Sequence, residues 1–262
     1  MIRSLFTAAS GMAAQQMMVD VISNNIANVN TIGYKAGRAG FQDMLYQQLR
    51  SPGAPSETGM QVPSGIQVGL GVKPVAVQKL FTQGDFINTG NPLDLVVEGD
   101  GFFQVSRPDG TTAYTKAGTF SLDKNGTIVN PDGYPLEPPI TIPTDATTIT
   151  VALNGDVNIM TAGQTTPSLV GSITLARFSN PSGLQSVGKN LFITSDASGD
   201  AITGTPDAQG FGDINQGFLE NSNVNIVEEL ANLITAQRAF DMNSKAVQAS
   251  DQMLQGISAM KS

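Results

Sequence analysis

Residues 226–254 read IVEELANLITAQRAFDMNSKAVQASDQML. Within that stretch Ile226, Leu233, Phe240, Val247 and Leu254 fall seven residues apart. A repeat of seven keeps apolar side chains on one face of a helix and is the period of a coiled-coil seam. The stretch therefore predicts a long helix. Asn225 followed by Glu228 fits a capping-box start, and Glu228 and Glu229 suit the positive end of the helix dipole. Ala236, Ala239, Ala246 and Ala249 flank the line and leave room for a partner helix. Asp241 and Lys245 stand at i,i+4, the spacing of a helix ion pair.

The other end of the chain carries the same pattern. Leu5, Met12, Val19 and Ile26 again recur every seven residues, with Ala8, Ala9 and Ile22 beside them, and Asn24, Asn25, Asn28, Asn30 and Gly33 mark where that helix stops. Gly11 inside the helix costs about 1 kcal/mol relative to Ala, which a close helix approach would explain. Phe41, Met44, Leu45 and Leu49 show a 3/4/8 spacing that predicts one or two further helical turns. The Pro- and Gly-rich segment 51–65, with Ser51, Pro52, Gly53, Pro55, Pro63 and Gly65, predicts a linker or extended loop.

Between the ends the period changes from seven to two. Strand-forming runs flank turn signals: Phe102–Ser106 and Thr112–Thr115 around Pro108-Asp109-Gly110, Thr119–Leu122 and Thr127–Val129 around Asp123-Lys124-Asn125-Gly126, and Thr148–Leu153 and Val157–Ile159 around Asn154-Gly155-Asp156. Val170–Phe178 reads as one longer strand. Short strands joined by tight turns predict antiparallel pairing rather than a parallel sheet. The expected fold is α+β. Residues 1–35 and 222–262 form paired helices as a coiled coil and a discontinuous assembly domain; 36–91 connect; 92–221 form a β-rich outer domain.

Composition narrows the function. The 262 residues include no His and no Cys, which excludes Ser–His–Asp and Cys–His catalysis, disulfides and zinc sites of the usual kind. Lys and Arg number 14 against 22 Asp and Glu, a net charge of −8, so nucleic-acid binding is not expected. The acid is concentrated in the middle: residues 1–50 carry +2, residues 221–262 carry −1, and residues 51–220 carry −9. Only 14% of residues are charged, against about 25% in an average globular domain, as if much of the surface is covered by something else. No run of 18 apolar residues is present, so no membrane insertion is expected, and Ser4, Thr7 and Ser10 interrupt the apolar core that a cleaved secretion signal needs.

Isolated helices are marginal in water. The two apolar lines therefore have two readings: a seam closed within the chain, or a surface buried between molecules. Met17, Met18, Val21, Val227, Leu230, Ile234, Met253 and Ile257 lie off the main lines and are available for the second. Arg238 reads equally as a solvated helix charge and as half of an ion pair between molecules. Asp94, Glu98 and Asp100 have the residue types of a glycosidase carboxylate pair, but lie within one strand and turn and read more simply as surface charges. Gly69-Leu70-Gly71 lacks the third glycine of a dinucleotide loop, Pro74 standing in its place. Asp123-Lys124-Asn125-Gly126 lacks the closing Glu of a calcium loop and reads as a hairpin turn.

Specific motifs add to the pattern. Ala9-Ser10-Gly11-Met12 and Ser23-Asn24-Asn25-Ile26-Ala27-Asn28-Val29-Asn30-Thr31-Ile32-Gly33-Tyr34-Lys35 resemble the N-terminal signature of the flagellar rod and hook protein family. Ser222-Asn223-Val224-Asn225 with Gln237, Arg238, Asn243, Ser244 and Lys245 resembles its C-terminal signature. Pro92–Leu95, Gly99–Phe103 and Tyr114–Phe120 are similar to its central region. The resemblance covers essentially the whole chain. It implies a structural subunit, not an enzyme, with no cofactor and no metal. Such a subunit self-assembles into the hollow distal rod, the drive shaft of the bacterial flagellum, which carries torque across the periplasm. In that family an extended loop at 51–65 separates the distal rod from the hook. Implied partners are further copies of the chain, the proximal rod and hook proteins, the surrounding periplasmic and outer-membrane ring proteins, and the flagellar export apparatus, which exports subunits without a cleaved signal. The alternatives are a proximal rod or hook subunit, or a carbohydrate-binding or hydrolysing β protein on an oligomerising stalk.

Overall fold

The structure, a computed structural model, describes residues 2–52, 55–57, 60–61, 63–164, 166–208 and 210–261. They form an α+β chain of two compact units: one holds 1–27, 37–78 and 225–262, the other 28–36 and 79–224. Among the described residues no helix is long and apolar enough to cross a membrane.

In the first unit helix α1 runs Ile2–Ala27 and helix α2 runs Ile226–Lys261. Asn225 caps α2 by accepting from the backbone N–H of Val227 at 3.1 Å and of Glu228 at 3.4 Å, and the two glutamates sit in the first turn. The helices pack antiparallel. Ser4 Oγ lies 3.2 Å from Ser250 Oγ, Gly11 lies under the Asn243 amide, and Asn25 Nδ2 donates to Glu229 Oε1 at 2.9 Å. Seven residues up α1, from Ser4 to Gly11, match seven down α2, from Ser250 to Asn243; the next fourteen match likewise. That constant register is the spacing of heptads meeting along one seam.

The segment between the helices is not helical where a helical turn is expected. Gly37–Asp43 is a strand paired with Val72–Lys79, and Tyr46–Arg50 pairs antiparallel with Ile66–Gly69. Nine residues of 3/4 spacing are too few to separate a helix from a strand, and Gly37 and Gly40 weaken any helix there. The supposed loop is hydrogen-bonded as well: Pro55–Glu57 pairs with Met60–Gln61 inside the longer ribbon. Ser51, Pro52 and Pro63 are exposed and Gly65 is half-buried. Gly53 lies outside the described residues. Gly71, at φ +120°, has no room for a Cβ beside Ser10 Oγ, and that hydroxyl accepts from Val72 N at 3.3 Å, tying this segment to α1.

The second unit is built on a six-stranded antiparallel sheet. Its order is Gln185–Gly188, Leu191–Ile193, Thr112–Thr115, Phe102–Ser106, Leu175–Arg177, Ile202–Gly204. Phe102 and Phe103 show why Phe102–Ser106 is central. Successive strand residues point to opposite faces, and each of these two meets a different core. Phe103 joins Leu95, Val97, Val105, Phe120 and Ile214 on one face. Phe102 joins Tyr114, Phe178, Leu184 and Phe192 on the other, with ring centroids 5.3–6.3 Å apart edge to face among Phe81, Phe102, Phe178 and Phe192. The expected strand 170–178 divides at Ile173-Thr174: Ser168–Ser172 closes a three-stranded sheet with Ala146–Val151 and Asp156–Thr161, and Leu175–Arg177 enters the six-stranded one. The strands expected at 102–106 and 112–115 form with those bounds, and the hairpin strands expected within 119–129 and 148–159 form with their ends shifted by one or two residues.

Candidate functional site: the helix pair and the buried ties of the signature residues

The apolar heptad lines are not the line of closest approach between α1 and α2. Leu5, Met12, Val19, Ile26, Leu233, Val247 and Leu254 are half-buried, and Ile226 and Phe240 are exposed. The contact line lies beside them. It runs through Ser4, Gly11 and Asn25 on α1 and Ser250, Asn243 and Glu229 on α2. The fully buried residues of the two helices are small or polar for the most part: Ala8, Ala14, Asn25, Ala236 and Ser250, with Ile22 the largest apolar one. A Cβ added at Gly11 would meet Asn243 Nδ2 at 2.8 Å, which accounts for a glycine inside a helix. Large apolar side chains face outward on the isolated unit, among them Val227 at 77% exposure, Phe6 at 70% and Met242 at 69%. Arg238, Asp241 and Lys245 are exposed, and the expected Asp241–Lys245 pair does not form.

The signature residues in the last turns of α1 and just beyond it divide by depth. Ser23, Asn24, Ala27 and Asn30 are exposed; Ile26, Asn28 and Thr31 are half-buried; Asn25, Gly33, Tyr34 and Lys35 are buried. Asn25 belongs to the first unit. Its amide treats Gly37 as a strand partner would: Oδ1 accepts from Gly37 N and Nδ2 donates to Gly37 O, both at 2.8 Å, while Nδ2 also reaches Glu229. One side chain thereby ties α1, α2 and the strand at 37 together.

In the second unit, Lys35 and Glu220 form an ion pair at 2.7 Å with both side chains fully buried. Lys35 Nζ also donates to Thr82 O at 2.8 Å, and Glu220 Oε1 also accepts from Gly84 N at 2.9 Å. Glu220 Oε2 is buried without a partner. The Glu220 backbone carbonyl takes Gly33 N at 2.8 Å. Gly33 has φ +68°, and a Cβ there would lie 2.6 Å from Ala117 N, so only glycine fits. Asn223 repeats the device of Asn25: Oδ1 accepts from Ala36 N at 2.8 Å, and Nδ2 donates to Leu80 O and Thr82 Oγ1, both at 2.8 Å. Lys79 Nζ sits 4.2 Å over the Tyr34 ring, and burial holds its pKa below the ordinary lysine range. Lys116 donates to Gly99 O at 2.7 Å; burial lowers its pKa to about 8, against the raising influence of Glu220.

The carboxylates weighed as a glycosidase pair do not share a site. Asp94 is not a surface charge but buried, held by Thr89 Oγ1 at 2.6 Å and Asn91 Nδ2 at 3.0 Å, so it braces its own turn. Glu98 and Asp100 are exposed. Asp123–Gly126 is a hairpin turn, closed by Gly126 N on Asp123 O at 2.8 Å with Gly126 at φ +79°. Glu220 escaped the sequence reading. The signal was Lys35 itself: a lysine between Tyr34 and Ala36 in a buried motif needs a carboxylate.

Three family models match in chain order. Residues 5–35 match the flagella basal body rod protein model, residues 96–159 the flagellar hook protein FlgE/F/G D1 domain, and residues 215–260 the flagellar basal body rod FlgEFG protein C-terminal model. These define the class: axial proteins of the flagellar rod and hook. Within it, the chain is 50% identical over 261 residues to the flagellar basal-body rod protein FlgG of Caulobacter vibrioides, covering 99% of this chain and 100% of that one. It is 46% identical over 260 residues to FlgG of Buchnera aphidicola subsp. Acyrthosiphon pisum, covering 99% and 100%, and 40% identical over 267 residues to FlgG of Bacillus subtilis, covering 100% of both. The chain belongs to the FlgG family of flagellar basal-body rod proteins, which are structural proteins and not enzymes.

Proposed function

We propose that this chain is the subunit of the distal rod, a hollow helical homopolymer that spans the periplasm and carries torque. The observation that supports it most is the mismatch on the helix pair. Its intrachain contact line is small and polar, and Ile226, Val227, Leu230 and Ile234 stay exposed on the first turns of α2. Each such side chain is worth about 2 kcal/mol when buried, and neighbouring copies are the surface that would bury them. The heptad lines Leu5/Met12/Val19/Ile26 and Ile226/Leu233/Phe240/Val247/Leu254 then become coiled-coil seams between subunits. Residues 1–35 and 222–262 act as the assembly domain, 36–91 as the connecting region, and 92–221 as the outer domain.

The ribbon that carries 51–65 favours a distal rod over a proximal rod or hook subunit. Leu45, Tyr46, Leu49 and Ile66 are exposed along it, and a lone two-stranded ribbon is marginal in water, so lateral packing on other subunits would hold it. End contacts would be made with the proximal rod and the hook, outer contacts with the periplasmic and outer-membrane rings, and the chain would leave the cell through the flagellar export apparatus without signal cleavage.

Hydrogen–deuterium exchange on the monomer and on assembled tubes, with electron microscopy of the same samples, tests the reading. The helices at 2–27 and 226–261 should exchange faster in the monomer than in tubes, where they become protected. Full protection of both ends in a monomer that never polymerises would end it. Deleting 51–65 should give a softer, curved polymer; an unchanged straight tube would move the assignment to another rod or hook subunit.

A further inference from the structure

Both helices carry an apolar line every seven residues, so apolar packing alone tolerates sliding one helix past the other by a heptad. The polar contacts do not. Ser4 with Ser250, Gly11 with Asn243 and Asn25 with Glu229 form a ladder at one register. A slip of seven in one direction places Ser4 opposite Asn243 and Asn25 opposite Ser222, before the start of α2; a slip in the other direction places Asn25 opposite Ala236, and either way Asn25 loses its carboxylate partner. Either slip also brings Asn243 away from Gly11, the one position in α1 without a Cβ. Asn25 is 2% exposed, and stranding its amide costs more than its hydrogen bond contributes in place. The ladder ends where Asn25 also fixes Gly37, so the register is anchored to the strand as well as to α2.

We propose that Ser4, Gly11, Asn25, Glu229, Asn243 and Ser250 are pairing-specificity residues. They hold α2 against α1 in one antiparallel register, and so keep the apolar lines for the neighbouring copies. The second half of that statement rests on the rod reading above; the first does not.

The chain has no cysteine, so introduced cysteines report register without background. In the full chain, Ser4→Cys with Ser250→Cys should oxidise to an intrachain disulfide faster than Ser4→Cys with Asn243→Cys, the pair displaced by one heptad, by about tenfold or more. Replacing the ladder with apolar residues (Asn25→Leu with Glu229→Leu) keeps the helices apolar and should bring the two cysteine pairs to similar rates. Equal rates in the unaltered background would overturn the proposal. Tube growth is scored separately: the native register without tubes sinks the rod reading alone, and tubes with a slipped register sink this one alone.

Discussion

Two phenylalanines set the two units of this molecule apart. Phe103 is fully buried in the second unit, its ring 5.2 Å from Phe120 edge to face. Phe240 lies on the α2 heptad line and is 36% exposed. Both follow from the same rule, that apolar side chains recur with the period of their element. The difference is what each element packs against. Phe102–Ser106 has strands on both sides and a core on both faces, so the second unit closes upon itself. In the α1–α2 pair the buried residues are for the most part small or polar, and large apolar side chains stay exposed. The second unit buries rings such as Phe102, Phe103 and Phe120 within itself; the helix pair leaves Ile226, Val227, Leu230 and Ile234 exposed.

The most direct way to break that comparison is to truncate both rings. Phe103→Ala should destabilise the monomer by about 3–5 kcal/mol, and Phe240→Ala by less than about 1 kcal/mol, both read by chemical denaturation. Equal losses would mean that the helix pair has a core of its own. Next in size is the buried ion pair. Glu220→Ala leaves the Lys35 charge buried without its partner and should cost about 3–5 kcal/mol. Lys35→Met with Glu220→Leu removes both charges and should recover most of that loss. If the double variant is as unstable as the single one, the ties to Thr82 and Gly84, and not the charges, hold this corner.

The same contrast explains what the sequence made legible. Long helices with a sustained period of seven and hairpins with Asp-Gly or Asn-Gly turns are local signals, and both are present, with α1 ending at Ala27 rather than at residue 35 and α2 starting at Ile226 rather than at 222. The paired strands at 37–50 and 66–79 did not announce themselves, because their alternation is spread over exposed residues such as Leu45, Tyr46, Val75 and Val77. Five strands beyond residue 178 are three or four residues long and sit among Gly, Ser and Asn, which read as turns. The signature residues were legible as a cluster, but not their partners. Asn25 finds Glu229, and Lys35 finds Glu220, across about two hundred residues of chain, and pairing at that range is a property of the fold.

Lys116 sharpens the comparison through pH. Its folded pKa of about 8 lies below the ordinary value of 10.5 because burial penalises the charged form. As pH falls from 10.5 toward 8 the unfolded chain takes up the proton and the folded one does not, so the second unit loses stability across that window and levels off below it. The loss is roughly 3 kcal/mol at about 1.4 kcal/mol per pKa unit. Lys116→Met should flatten the profile of denaturation midpoint against pH between 8 and 10.5. An unchanged slope would assign it to other groups and leave Lys116 solvated.

The smallest effect on stability carries the most weight for function. Val227 and Ile234 are 77% and 51% exposed on α2. Val227→Asp and Ile234→Asp remove no monomer contact of consequence, so the unfolding free energy should stay within about 0.5 kcal/mol of the parent. If these side chains are buried between copies, each variant instead places an unpaired carboxylate in an apolar interface, a cost of several kcal/mol for every subunit added. Growth of tubes should then stop while the monomer remains folded, as seen by electron microscopy beside circular dichroism. Tubes that grow normally with Asp at both helix positions would show that this face of α2 looks into solvent in the assembled rod. The apolar seams would then have to be closed by the half-buried lines of α1 alone.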